Sequence, residues 1–452
     1  MSKVIFYCLC FIIIYAPIPL GANRLWAQST IELAIMATFL LHLISAFSGR
    51  STLLPPRYAR FVVGALAITS LYLVIQMIPG LGGLLTKPAV ATGLSTISLD
   101  PSLTQVMLLK TLSFTLFAWL LFQYVDSSKR LTQLALTIIG SALFQAIYGI
   151  WLSMNYGHES PLFNLPWQAQ AAGSFVSYNH FASFVGLSLA IGIGLLISQL
   201  SMKAPTTNFR DKLHELGELV LGNKILLRIA LIVMFVALIL SRSRGGNSAL
   251  IIALVLVSIY ALFFYRQKPR NMRVLIVSFF ILDLLLIGSL FGVEKVKERL
   301  VETNLQSETR DEVVRDSIPI ILDYPLFGTG GGSFYGIFKV YQPRGYTELF
   351  YDHAHNDYIE FSVEIGLPLT LLLGSLVLYS LWVSLKAMRL RHTPLFQGVA
   401  FGCATAIITL LLHAMVDFPL QSYSIAILFI TILCMSHLAA NLPAPRKSRS
   451  KL

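Results

Sequence analysis

The sequence predicts an all-α polytopic membrane protein of about twelve transmembrane helices, with one large outward loop containing short amphipathic helices. Three observations predict it. The chain of 452 residues is 56% hydrophobic and only 12% charged, a balance that water would not keep soluble. Its mean hydropathy is +0.72. Apolar runs of about 20 residues, the length a helix needs to cross a bilayer, recur along nearly the whole chain.

In order, the predicted spans are Val4 to Leu20, Ser29 to Phe47, Tyr58 to Ile78, Gln105 to Val125, Leu131 to Ser153 and His180 to Leu200. The second half adds Ile225 to Leu240, Ser248 to Tyr265, Val274 to Gly292, Asn356 to Lys386, Phe396 to Met415 and Leu420 to Ala440. The resulting organisation is nine helices over residues 1–292, a soluble loop over 293–355, three helices over 356–440 and a basic tail over 441–452.

Orientation follows from Lys and Arg, which are retained on the cytoplasmic side. One set of loops holds Lys3, Arg50, Arg57, Arg60, Lys129, Arg130, Lys203, Arg210, Lys212, Lys224, Arg266, Lys268, Arg270 and Arg273, and continues with Lys386, Arg389, Arg391 and the tail. The opposite set is sparse outside the long loop: Arg24, Lys87, Arg242 and Arg244. Both termini are therefore expected in the cytoplasm, and the long loop outside. A cleaved signal peptide is the alternative for the first segment, given Lys3 and the small residues near Ala27, but its apolar run is long for that role.

A formal net charge of +12 does not point to nucleic acid, because the excess sits in short cytoplasmic loops and the tail, where it reports topology and contact with anionic membrane lipids. Cys8, Cys10, Cys403 and Cys434 all lie within apolar spans, so no disulfide or zinc framework is expected.

The outward arginines break the retention rule. Arg242 and Arg244 fall in LSRSRGGNSA, a tight turn between two spans. Snorkelling to outer-leaflet phosphates would explain one of them. Two guanidiniums beside a Gly-Gly pair and serines read as an anion pocket, since guanidinium suits bidentate phosphate contact and glycine lets backbone amides approach. In the long loop, Arg310 and Arg315 precede IPIILDYPLFGTGGGSF. Its glycines are expected either to cradle a phosphate or simply to connect.

Next comes the densest polar cluster, YDHAHNDYIEFSVEIGLP from Tyr351 to Pro368, running directly into an apolar segment. An imidazole that titrates near neutral pH would sit there at a membrane surface. Asp352, His353, His355 and Asp357 occupy alternate positions, which on an extended segment would share one side and suit a metal. Interfacial polarity alone is the bland alternative. Glu360 and Glu364 share a helical face, with helix positioning the expected role of Glu364. His413 and Asp417, four apart before Pro419, are expected either to line the same cavity or to bond between helices. Asn179 is expected to cap the sixth helix or to contact sugar, with Tyr156, Trp167 and Tyr178 in an interfacial belt. Glu32, Lys110 and Asp283 are ionisable residues in or near spans, functional suspects by default.

These residues carry a resemblance. AHNDYIEFSVEIGLP around His355, Arg310 to GTGGGSF, the SRSRGG turn and GSFVSYNHFASF from Gly173 to Phe184 occur in the order and topology of the O-antigen ligase and polymerase family. The chain resembles these bacterial envelope glycosyltransferases. Leu369 departs from a frequent glycine, and Val314 from a frequent tryptophan. The resemblance implies a GT-C-type enzyme of the inner membrane, with no cofactor, that takes glycan from undecaprenyl diphosphate at the periplasmic face. It further implies that His355, before Asn356, is the family's essential histidine and that Arg244 and Arg310 contact the diphosphate.

Chemistry of the residues is compatible with that reading. A diphosphate leaving group needs a divalent metal or several fixed cations, and here there are arginines without an Asp-x-Asp pair. Arg244 and Arg310, with Arg242 and Arg315, would hold it, while His355 accepts the proton of an attacking hydroxyl in an inverting displacement. Asn356 would orient and His353 assist. A protonated His355 acting as diphosphate ligand is the alternative. The acceptor is expected to be lipid A-core, as for a ligase, or a second glycan, as for a polymerase. A secondary transporter or lipid flippase is the rival from another class; no pair of interrupted spans recurs in the two halves to favour it.

Overall fold

The computed structural model describes residues 1–84, 95–155, 157–200, 224–265, 311–342 and 351–444. Eight helices cover the first part: α1 Ser2–Tyr15, α2 Leu25–Phe47, α3 Arg60–Gln76, α4 Pro101–Tyr124, α5 Ser128–Met154, α6 Tyr178–Ser198, α7 Lys224–Leu240 and α8 Arg244–Phe264. A helix over 311–323, here α9, follows. The chain then forms α10 Phe334–Tyr341, α11 Asp357–Leu390, α12 Pro394–His413 and α13 Tyr423–Asn441.

Nine helices among the described residues are long and apolar enough to cross a membrane, and α1 and α7 are shorter apolar helices. They correspond to eleven of the expected spans. The remaining one, Val274 to Gly292, lies outside the described residues, as do Arg310, Tyr156, Asp283 and most of the long loop.

The bundle is centred on α6, α12 and α13. Every residue of α6 from His180 to Ile197 is buried, and α13 is buried almost throughout. Small residues explain how closely these helices approach. Gly398 and Gly402, four apart on α12, face Gly194 and Ala190 of α6, and a Cβ on Gly194, Gly398 or Gly402 would overlap the opposite backbone. In lipid there is little hydrophobic drive between helices, so such backbone proximity supplies the packing energy.

One predicted span is interrupted. The expected helix over Asn356 to Lys386 breaks at Gly366, whose φ of 73° and ψ of 166° are non-helical, with Pro368 just after. A break in a membrane helix strands carbonyls that the bilayer cannot satisfy. The glycine-rich segment fills it: Thr329 N donates to Val363 O at 2.9 Å, Gly330 N to Glu364 O at 3.0 Å, and Leu367 N to Pro325 O at 2.9 Å. Gln76 of α3 completes the junction, its amide donating to Phe327 O at 2.8 Å and Glu364 O at 3.1 Å while accepting from Gly331 N at 3.2 Å. Neither expectation for these glycines describes this arrangement. The segment is a fixed wedge, and the Thr329 and Gly330 amides are spent on the helix break instead of facing an anion.

Candidate active site

The loop before α11 is held from both sides. Asn356 caps the helix, its Oδ1 accepting from Tyr358 N at 3.0 Å and Ile359 N at 3.2 Å, and its amide donates to Met415 O at 2.9 Å. Glu360 reaches back one turn, one oxygen taking Ala354 N at 2.9 Å and the other His353 Nδ1 at 2.7 Å. Burial disfavours a charged His353, but the Glu360 carboxylate, with Asp352 and Glu364, outweighs it and raises the imidazole to about 9. His353 is thus a cation at neutral pH.

Pinned on both sides, His355 adopts a left-handed backbone with φ of 50°, a conformation costly for a non-glycine residue and one that proteins keep mainly at functional positions. Its Nδ1 is buried without a hydrogen-bond partner and lies 3.9 Å from Asp417 Oδ1, while 22% of the side chain remains exposed. The other carboxylate oxygen of Asp417 is 3.8 Å from His413 Nε2, and His413 Nδ1 bonds Ser183 Oγ at 2.7 Å. Burial would raise Asp417, yet the imidazoles of His355, His413 and His180 and the Phe418 amide hold its carboxyl down to about 2. Asp417 is therefore an anion between two imidazoles.

Phe418 organises the same cluster. His353 stacks on its ring with centroids 4.3 Å apart, and His355 and His180 meet it edge-on at 4.8 Å and 5.0 Å. Two elements distant in sequence, the 351–356 loop and the segment between α12 and α13, thereby share one hub with the first turn of α6.

The arginine turn abuts this cluster through its glycines. A Cβ on Gly245 would lie 3.0 Å from His413 Cδ2, and one on Gly246 would lie 3.1 Å from Ala182 Cβ and 3.3 Å from His413 Cε1. A side chain at either position would press on the His413 ring, so glycine suits this close start of α8. Ser243 caps α8 by accepting from Gly246 N at 3.3 Å. Arg244 opens the helix, Arg242 precedes it with φ of 54°, and both side chains are exposed. The arginine turn and the positive end of α8 thus border the histidine cluster through Gly245 and Gly246, and a helix N-terminus favours anions.

The remaining expected residues fall into different places. Glu364 Oε1 accepts from Phe334 N at 3.3 Å, at the start of α10. Arg315 on α9 is largely exposed and pairs with its neighbour Asp316 at 3.2 Å. Its helix packs beside the loop, because Val313 and Ala354 belong to one apolar cluster. Asn179 does not cap α6: Ser177 does, accepting from Asn179 N at 3.2 Å, because the helix starts at Tyr178, before Asn179. The four alternate residues offered for a metal do not share one side. His353 turns to Glu360 and His355 to Asp417, while Asp357 Oδ2 accepts from Leu420 N at 3.0 Å. Left-handed His355 interrupts the extended geometry that reading required.

His180, Phe418 and Ser183 were not among the expected site residues. His180 was visible as a polar residue at a helix start; Phe418 carries no signal in a chain with 29 phenylalanines.

A buried carboxylate between two imidazoles, next to the arginine turn, has the groups that proton transfer beside an anion requires. Residues 229–374 match the sequence model of the O-antigen ligase family, so the chain carries that family's domain. The matched region includes Arg242, Arg244, the glycine-rich wedge, His353 and His355, and ends before His413 and Asp417. No curated protein matches the chain.

Proposed function

We propose that this protein is a metal-independent inverting glycosyltransferase of the bacterial inner membrane, transferring a glycan from undecaprenyl diphosphate to a hydroxyl acceptor at the periplasmic face, most simply lipid A-core. The observation that carries the reading is His355, strained and paired with anionic Asp417, beside the Arg242 and Arg244 turn. The family match supports the reaction class. The sparse basic content of the loops on this side supports the periplasmic assignment.

In the proposed step the acceptor oxygen attacks the anomeric carbon, and its proton passes to His355. A C–O bond forms as the bond to the diphosphate breaks, and the diphosphate leaves with the electron pair. Asp417 stabilises the imidazolium that results, while Arg244 and Arg242 hold the departing charge, joined by Arg310 and Arg315 from the long loop. Attack opposite the leaving group inverts the centre. Asn356 fixes the loop, and His353 adds a cation at neutral pH.

Reconstituted protein supplied with lipid-linked glycan and acceptor tests this directly. His355→Gln should lower transfer at least about 100-fold, with membrane insertion unchanged, and chelator should leave the wild-type rate intact. The second reading, a glycan polymerase, is supported by the same family match. A deletion strain separates them, since long lipid-linked chains accumulate when a ligase is lost and single repeats when a polymerase is lost.

A further inference from the structure

Two residues of the candidate site, Asp417 and Phe418, lie on the short connection between α12 and α13, which contains the turn Pro419–Gln421. A connection holds a side chain in a fixed place when the chain on both sides of it is tied. Before Asp417 the ties come from the His355 loop and the start of α11: Asp357 N donates to Ala414 O at 3.1 Å, and the Asn356 amide to Met415 O at 2.9 Å. After Phe418 they come from two buried ionisable side chains. Asp357 Oδ2 accepts from Leu420 N at 3.0 Å, and Lys110 Nζ, from α4, donates to Gln421 O at 3.1 Å. Asp417 and Phe418 stand between the two sets.

Lys110 is the costly member of this arrangement. It is 8% exposed, on a helix long and apolar enough to cross a membrane. An ammonium is expensive to bury there, and a neutral donor such as a glutamine amide would serve Gln421 O without that expense. What a neutral donor lacks is attraction for carboxylates. Glu364, Asp357 and Glu360 of α11, and Glu32 of α2, are near enough for their charge to act on Lys110. Lys110 thus ties the turn to α4 by a hydrogen bond and α4 to the acidic face of α11 by charge, while Asp357 grips the adjacent residue of the same turn from α11.

We infer that Lys110 and Asp357 form a clasp on the Pro419–Gln421 turn, and that Lys110 is a positioning residue, seating the turn so that Asp417 and Phe418 face His355. The inference rests on the function proposed above and adds to it a residue of α4, outside the matched family domain at 229–374. Lys110 acts through Asp417 and Phe418, not on the substrate.

Full-length protein in nanodiscs, with thermal unfolding reporting that each variant is folded, tests this by kinetics and by a probe of position. Lys110→Met keeps an unbranched side chain without donor or charge, and should lower kcat at least about tenfold while KM for the lipid-linked donor changes by less than about twofold. Asp357→Ala frees the same turn from α11 and should act alike. In an Asp417→Asn background the further loss from Lys110→Met should be under about twofold, because a residue that acts through Asp417 has little left to place. Ser113→Ala removes a neighbouring tie from α4 to the Tyr423 hydroxyl and should leave transfer near the wild-type rate. Independently of transfer, 4-fluorophenylalanine in place of Phe418 reports where that ring sits among the imidazoles. Its fluorine resonance should shift or split in Lys110→Met and Asp357→Ala and stay in place in Ser113→Ala. Equal losses from Lys110→Met in both backgrounds, a Ser113→Ala loss as large as that of Lys110→Met, or a resonance unmoved in both clasp variants overturns the inference. If the resonance is unmoved while His355→Gln still abolishes transfer, the clasp alone falls; if it moves while His355→Gln transfers normally, the clasp stands and the catalytic reading falls.

Discussion

At the scale of single residues, ionisation ties the candidate site to pH in two opposite directions. His353 is raised to about 9 by Glu360, against its burial, so its pairing stabilises the fold fully below the ordinary imidazole range, about 6.5. That contribution declines as pH rises and is gone above about 9. Thermal unfolding of purified protein should show the loss between pH 7 and 9, and Glu360→Gln should remove that part of the slope. Asp417 is depressed to about 2, so its contribution is complete above about 4 and disappears as pH falls through 2. Asp417→Asn keeps the shape but not the charge beside His355, and transfer should drop by about tenfold or more. Phe418→Leu withdraws the ring shared by three imidazoles and should cost a similar factor, whereas Phe418→Tyr should retain most activity. Equal rates for Leu and Tyr variants would remove Phe418 from any positioning role.

At the scale of elements, two junctions join pieces far apart in sequence. The first is the wedge in the α11 break, where Gly328 and Gly366 face each other with φ of 67° and 73°. A Cβ on either would overlap the other strand of the junction. Gln76→Leu keeps the side-chain bulk but leaves Gly331 N without its acceptor, while Phe327 O keeps Tyr72 and Glu364 O keeps Gly330 N; the orphaned donor costs about 1–3 kcal/mol. Its unfolding temperature should fall well below that of wild type, with transfer falling in parallel because α11 carries the His355 loop. The second junction is Gly245 against His413. Gly245→Leu would push α8 from α12 and move the arginines from the histidines, so transfer should fall while the unfolding temperature changes little, the contact being at a helix end. The glycines of both junctions were visible in the sequence as turn formers. Their partners were not, because close approach between backbones is a property of the pair.

At the scale of the whole molecule, the connections bearing Gly21, Phe175, the arginine turn, the glycine wedge, the His355 loop and the 414–422 segment meet at one end of the bundle. Gly21 O accepts from Ser422 and Ser424 hydroxyls at 3.0 Å and 2.8 Å, and Ala171 N donates to Leu240 O at 3.0 Å, just before Arg242. Reagents that modify histidine and arginine from outside intact cells should therefore inactivate together, if this end faces the periplasm as proposed. The sequence by itself determined the membrane class, the approximate bounds of the spans, the candidate histidine and arginines, and the family resemblance. All of these rest on local composition, periodicity and adjacent motifs. The tertiary structure alone decided that Asp417 lies between His355 and His413, that Phe418 and His180 belong to the cluster, and that the glycine segment closes a broken helix. Each of those depends on contacts between segments up to about 290 residues apart, such as Gln76 with Glu364, and no local pattern encodes which partner a buried group will meet.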